Sequence, residues 1–117
     1  MWTVVVLDED GAMKTLICEW LEAAGYRLGP LPSRDGADVG LVVLDLPSLR
    51  LHGAERVQEV RAEYPDAAVI GMSAQLGRSL LGTSPLAATL GVTRLLAKPL
   101  GRDELLAAAA DAIGMAS

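Results

Sequence analysis

Cysteine occurs once in this chain, at Cys18, which excludes an internal disulfide and a cysteine-based zinc site and suits a reducing compartment. Any metal must be held by oxygen ligands. Positive charge is also scarce: ten Lys and Arg stand against fifteen Asp and Glu, a formal net charge of -5. Such a surface repels phosphate backbones, so direct nucleic-acid binding is not expected. Long apolar runs are missing too. Val4 to Leu7 is broken at once by Asp8-Glu9-Asp10, too short for a signal-peptide core or a membrane span. These absences point to a soluble, cytoplasmic protein with no membrane insertion. What the chain does have is apolar side chain: 51% of its 117 residues are hydrophobic and 21% charged, enough for one core and too few residues for two. No repeat or low-complexity linker interrupts it.

Thr3 to Leu7 is a β-branched apolar run ended by charge, the pattern of a strand covered on both faces. From Asp10 or Gly11 to Ala24, Met13, Leu16, Ile17, Trp20, Leu21 and Ala24 recur at helical spacing, and Gly25 supplies a stop. Tyr26 to Gly29 reads as a weak second strand, followed by a loop rich in Pro, Ser, Asp and Gly over residues 30–36. Leu41 to Leu44 is a buried strand stopping at Asp45, with Pro47 and Ser48 in the loop beyond. Ala54, Val57, Val60 and Tyr64 line a helix ended by Pro65, and Ala67 to Met72 is the next buried strand. Ser84-Pro85 opens a short helix that closes at Gly91, with Ser as N-cap. Val92 to Ala97 is the last strand, and Arg102 to Ile113 an alanine-rich helix with Asp103 and Glu104 in its first turn. Strands separated by helices require crossovers, so the expected architecture is α/β: a doubly wound, five-stranded parallel sheet with helices on both faces.

Ligands of such folds bind where the strands end. Here the first strand ends in Asp8-Glu9-Asp10, the third in Asp45, the fourth in Ser73, and the fifth runs into Lys98-Pro99. Each has an ordinary reading alone: acids facing a helix N-terminus, a turn residue, a polar strand end, a solvated lysine. Together they form one constellation. Carboxylates crowded at one sheet edge repel unless a cation intervenes, and oxygen-only ligands suit Mg²⁺. A lysine and a serine hydroxyl beside them complete the groups that phosphoryl transfer needs.

At these residues the chain resembles the receiver domain of two-component response regulators, over essentially its whole length. That pattern's acidic pair is matched by Asp8-Glu9 and its phosphoacceptor by Asp45 in Val42-Val43-Leu44-Asp45. Gly53 matches its glycine eight positions later, Ser73-Ala74 its Ser or Thr followed by Ala, and Leu96-Ala97-Lys98-Pro99-Leu100 its Lys-Pro motif. The resemblance implies the flavodoxin-like receiver fold and a cis Lys98-Pro99 bond. It implies that Asp45 accepts a phosphoryl group from a phosphohistidine of a sensor histidine kinase or phosphotransfer protein. Asp8, Glu9, Asp45 and the backbone carbonyl of Pro47 would then hold Mg²⁺, with Ser73 and Lys98 gripping the product. Carboxylates at three positions give -3, and Mg²⁺ with Lys98 gives +3, a balance that phosphorylation upsets. The added charge should draw Ser73 and its loop inward and be read by a downstream protein, or by a second copy, on the last helices and strand. Such a chain is a phosphoacceptor signalling domain, an enzyme only toward its own phosphorylation and dephosphorylation.

The chain also departs from that pattern. Glu9 stands where the family has Asp, with Asp10 as a substitute, and Leu49 replaces the proline four positions after the acceptor. Leu95 replaces the aromatic residue that swings on activation, in a chain with no Phe. The stretch from Ser73 to Lys98 is longer, the addition falling around Gln75 to Thr83, and Gln75 with Pro47 should influence hydrolysis of the acyl phosphate. With Ser117 close behind the last helix, residues 1–117 are expected to form a single receiver without an output domain. Two other readings compete. One is a receiver-like interaction module independent of phosphorylation. The other, a flavodoxin-like cofactor-binding domain, would need a Gly, Ser or Thr-rich phosphate cradle after the first strand, where this chain has acids. His52 reads as a surface residue, Cys18 as packing or surface, Trp20 as core and Trp2 as a strand-edge or interface residue.

Overall fold

The computed structural model describes residues 3–8, 11–29, 39–47, 52–76, 79–81 and 84–116. The elements run β1 (Thr3–Leu7), α1 (Gly11–Ala23), β2 (Arg27–Gly29), β3 (Val39–Asp45), α2 (Gly53–Glu63), β4 (Ala68–Ser73), β5 (Leu80–Leu81), α3 (Pro85–Leu90), β6 (Arg94–Ala97) and α4 (Arg102–Ala116). The sheet order is β2-β1-β3-β4-β6-β5. Five strands are parallel, as expected, and β5 adds an antiparallel edge against β6. That sixth strand falls in the stretch the sequence marks as added length. Trp2, Glu9, Asp10, the loop over 30–36, Ser48 and Leu49 lie outside the described residues.

Burial on both faces explains why the strands read as unbroken apolar runs. Val4, Val6, Leu41, Val43, Ile70, Met72 and Leu96 point to one side, where Ile17 and Leu21 of α1 and Leu105, Ala108, Ala109 and Ala112 of α4 cover them. Val5, Val42, Leu44, Val69 and Leu95 point to the other, against Val57 and Val60 of α2 and Ala87 and Leu90 of α3. Trp20, expected in the core, packs half-buried at the rim of the first of these layers. At roughly 25 cal/mol per Å² of apolar surface, these two layers supply most of the driving force for folding.

The helix ends follow the local chemistry of the sequence. Ser84 caps α3, its Oγ accepting from the Ala87 N–H at 3.2 Å, with Pro85 in the first turn. Gly25 and Gly91 follow α1 and α3 with φ of 97° and 83°, a left-handed turn that a Cβ would oppose. In both turns the next residue's N–H reaches back, Tyr26 to the Leu21 carbonyl at 3.1 Å and Val92 to the Ala87 carbonyl at 3.1 Å.

Candidate functional site

The parallel strands all end along one edge, and β1 and β3 flank the point where the chain stops adding strands on one side and begins on the other. Leu7 pairs in register with Leu44, so the residues that follow, Asp8 and Asp45, stand side by side. Lys98, just past β6, reaches between them: its Nζ is 3.0 Å from Asp8 Oδ2 and 2.9 Å from Asp45 Oδ1. The side chain of Asp8 is fully buried, while those of Asp45 and Lys98 keep 17% and 14% of their exposure. Burial pulls the Lys98 pKa down, but hydrogen bonds and charge attraction from Asp45 and Asp8 outweigh it, leaving it above the ordinary lysine value. The Lys98-Pro99 peptide bond is cis.

One ammonium shared by two carboxylates leaves a negative charge uncompensated within this trio. Asp8, Asp45 and Pro47 also border one cavity of about 500 Å³. Oxygen donors, a charge deficit and open space together fit a hard divalent cation such as Mg²⁺. Glu9, expected as a further ligand, lies outside the described residues. Among the described residues, no three carboxylate, histidine or cysteine side chains converge on one point.

Ser73, the last residue of β4, is completely buried. Its Oγ accepts a hydrogen bond from the Gln75 N–H at 3.0 Å, the local side-chain turn that serine favours at a strand end. Ser73 pairs in register with Ala97, and its carbonyl accepts from the Lys98 N–H at 3.0 Å. The backbone thus ties Ser73 to the strand that delivers Lys98, while its side chain is not part of the wall of the cavity.

Three basic residues that strand-end reasoning did not assign to the site line the same cavity. Lys14 comes from the first turn of α1, and His52 and Arg56 from the start of α2. Only their place near the start of a helix that follows a strand sets them by that edge; as a pattern they read as the solvated face of an amphipathic helix. His52 is exposed, as expected, and lies 3.6 Å from Glu55. Cys18 is half-buried and its thiol is pushed up mainly by burial, with Lys14 opposing and Glu22 adding to the shift, in keeping with an inert thiol. Ser79 was missed as well. It accepts from the Ala97 N–H at 2.9 Å and donates to Glu104 Oε1 at 2.7 Å, pinning the β4–β5 connection to both β6 and α4.

No model of a protein family matches this chain, and neither does any curated protein. Solved structures do. A response regulator from Thermotoga maritima superposes with a TM-score of 0.75 at 21% identity, covering 97% of this chain and 98% of its own. A CheY-like receiver domain protein from Methanospirillum hungatei JF-1 gives 0.76 at 17% identity, covering 99% and 96%. The beryllofluoride-activated NtrC4 receiver domain dimer gives 0.76 at 20% identity, with full coverage of both chains. The chain has the fold of a response regulator receiver domain. Within that receiver fold, Asp8, Asp45, Ser73 and Lys98 occupy the tips of four neighbouring parallel strands, the sheet edge at which doubly wound folds take their ligands. Among the described residues, no helix is long and apolar enough to cross a membrane.

Proposed function

We propose that this chain is a cytoplasmic receiver that takes a phosphoryl group onto Asp45 and signals through protein contacts. The observation that carries the reading is the position of Lys98 Nζ, within 3.0 Å of both Asp8 and Asp45. A carboxylate held by a lysine is kept aimed while open to the cavity it borders. In the transfer, an Asp45 carboxylate oxygen bonds to phosphorus as the bond from phosphorus to the donor's nitrogen or oxygen breaks. The leaving group takes that electron pair and acquires a proton. Lys98 neutralises charge on Asp45 before the step and on the acyl phosphate after it. Ser73 donates its hydroxyl hydrogen to a phosphoryl oxygen of the product, which draws its loop inward. Asp8, Glu9, Asp45 and the Pro47 carbonyl would hold Mg²⁺, which when bound supplies charge neutralisation and alignment of the phosphoryl oxygens.

The donor in this reading is a phosphohistidine on a sensor kinase or phosphotransfer protein. The receiver of the signal is a downstream protein or a second copy of the chain, docking on β6 and α4. The test is intact-protein mass after incubation with a small phosphodonor and Mg²⁺, beside Asp45→Asn and a chelated control. A metal-dependent gain of one phosphoryl group in the parent alone supports the reading, and no gain removes it.

One observation favours a second reading, a module that binds partners without phosphorylation. Leu95, at the position of the family's mobile aromatic, is fully buried in the layer with Leu46, Leu90 and Val92. An aliphatic side chain packed there lacks the ring whose inward swing serves as the family's switch. Under this reading Asp45→Asn leaves partner binding unchanged.

A further inference from the structure

Basic residues are scarce in this chain, yet the cavity beside Asp45 is bordered by Lys14 from one helix and Arg56 from another. The inner trio keeps one uncompensated negative charge, since its single lysine is engaged with both carboxylates. Arg56 lies 3.3 Å from Glu59, with its side chain about half exposed. Lys14 makes no ion pair among the described residues. Before a metal binds, the strand tips therefore carry net negative charge, and two basic side chains border the same cavity. An incoming phosphoryl dianion is repelled by Asp8 and Asp45 and attracted by Lys14 and Arg56 on the same cavity, and local positive charge raises the capture rate of an anion.

We infer that Lys14 and Arg56 form an outer anion subsite that receives the phosphoryl group of the donor before transfer and sets the rate of its capture. This rests on the phosphoacceptor reading above and adds to it a residue pair outside the strand tips. Both side chains border the cavity that Asp45 borders, so the subsite takes the phosphoryl oxygens, the part every donor shares. The chemistry is the same whether the group arrives on a small acyl phosphate or on a phosphorylated imidazole.

The test compares the parent with a variant carrying Lys14→Ala and Arg56→Ala, using acetyl phosphate and phosphoimidazole as separate donors with Mg²⁺ present. The second-order rate of mass gain should fall about tenfold for both donors at low ionic strength, and the difference should shrink toward about 1 M salt, where screening is short-ranged. Inorganic phosphate, titrated against the Gly53 and Leu46 amide resonances, should bind the variant more weakly by a similar factor. Arg61→Gln, which removes one positive charge at the far end of α2 where the double variant removes two from the cavity, should leave both readouts at parental values. An unchanged rate in the double variant overturns the inference, as does a loss confined to one donor or an equal loss in Arg61→Gln. If the parent gains no phosphoryl group from either donor, the phosphoacceptor reading fails on its own. The phosphate titration then decides the subsite alone: weaker binding in the variant sustains it, and equal binding removes it.

Discussion

At the tips of β1 and β3, two carboxylates meet one lysine beside an open cavity, whereas a few residues back along β6 Leu95 lies wholly buried and Ser79 saturates its hydroxyl between Ala97 and Glu104. The same short strand serves both regions. The first is left with negative charge and space, so it gains from a cation or a phosphoryl group. The second is complete as it stands, with apolar contacts filled and hydrogen bonds made. Binding energy should therefore be felt at the tips, and rigidity at the edge.

The largest effect that would break this contrast comes from the edge. Leu95→Ala empties a site packed under Gly71 and against Leu46, and we expect a loss of about 3 kcal/mol in urea unfolding. A loss under about 1 kcal/mol would mean that the edge is loosely packed and free to switch.

Next comes Lys98→Met, which leaves two neighbouring carboxylates without their shared cation. The expected cost is about 2 kcal/mol at neutral pH in the absence of metal, less than for fully buried pairs because Asp45 retains some exposure. The pH dependence sharpens the point. Lys98 has its folded pKa raised above the ordinary 10.5, so its contribution is fully present below that value and is lost as pH rises through the higher folded one. Unfolding of the parent at increasingly alkaline pH should show this loss, and Lys98→Met should lack it.

Smaller still is Ser79→Ala. It removes the acceptor for the Ala97 N–H and the donor to Glu104, with an expected cost of about 1 kcal/mol and faster amide exchange at Ala97. Unchanged exchange would show that β5 holds without the serine. Arg94→Gln should cost about 0.5 kcal/mol or less, since its partner Asp111 is mostly solvent-exposed. These two variants together measure how far the edge depends on polar links instead of packing.

Much of the fold is legible from the residues because the parallel sheet buries both faces. Val4-Val5-Val6 and Leu41 to Leu44 have no polar side to lose, and Asp8 and Asp45 mark where each run stops. The Ser84-Pro85 start and Gly91 stop of α3 are local chemistry and need no tertiary context. The strand β5 is not legible: two leucines in a Gly and Ser-containing loop carry no periodicity, and only pairing with β6 makes them a strand. At the site, the tips were readable because four strands end in polar residues. Lys14 and Arg56 were not, since on amphipathic helices they read as the solvated face, and the cavity they border exists only once the helices are packed. Ser79 gave no signal for the same reason: its partners lie 18 and 25 residues away.

The central claim is that Asp45 is the group that receives the phosphoryl. Peptide mapping by mass spectrometry after treatment with acetyl phosphate and Mg²⁺, with and without hydroxylamine, tests it most directly. The account predicts a single adduct on the peptide containing Asp45, removed by hydroxylamine as an acyl phosphate is. An adduct that resists hydroxylamine, one that maps to His52 or a serine, or no adduct at all would contradict it.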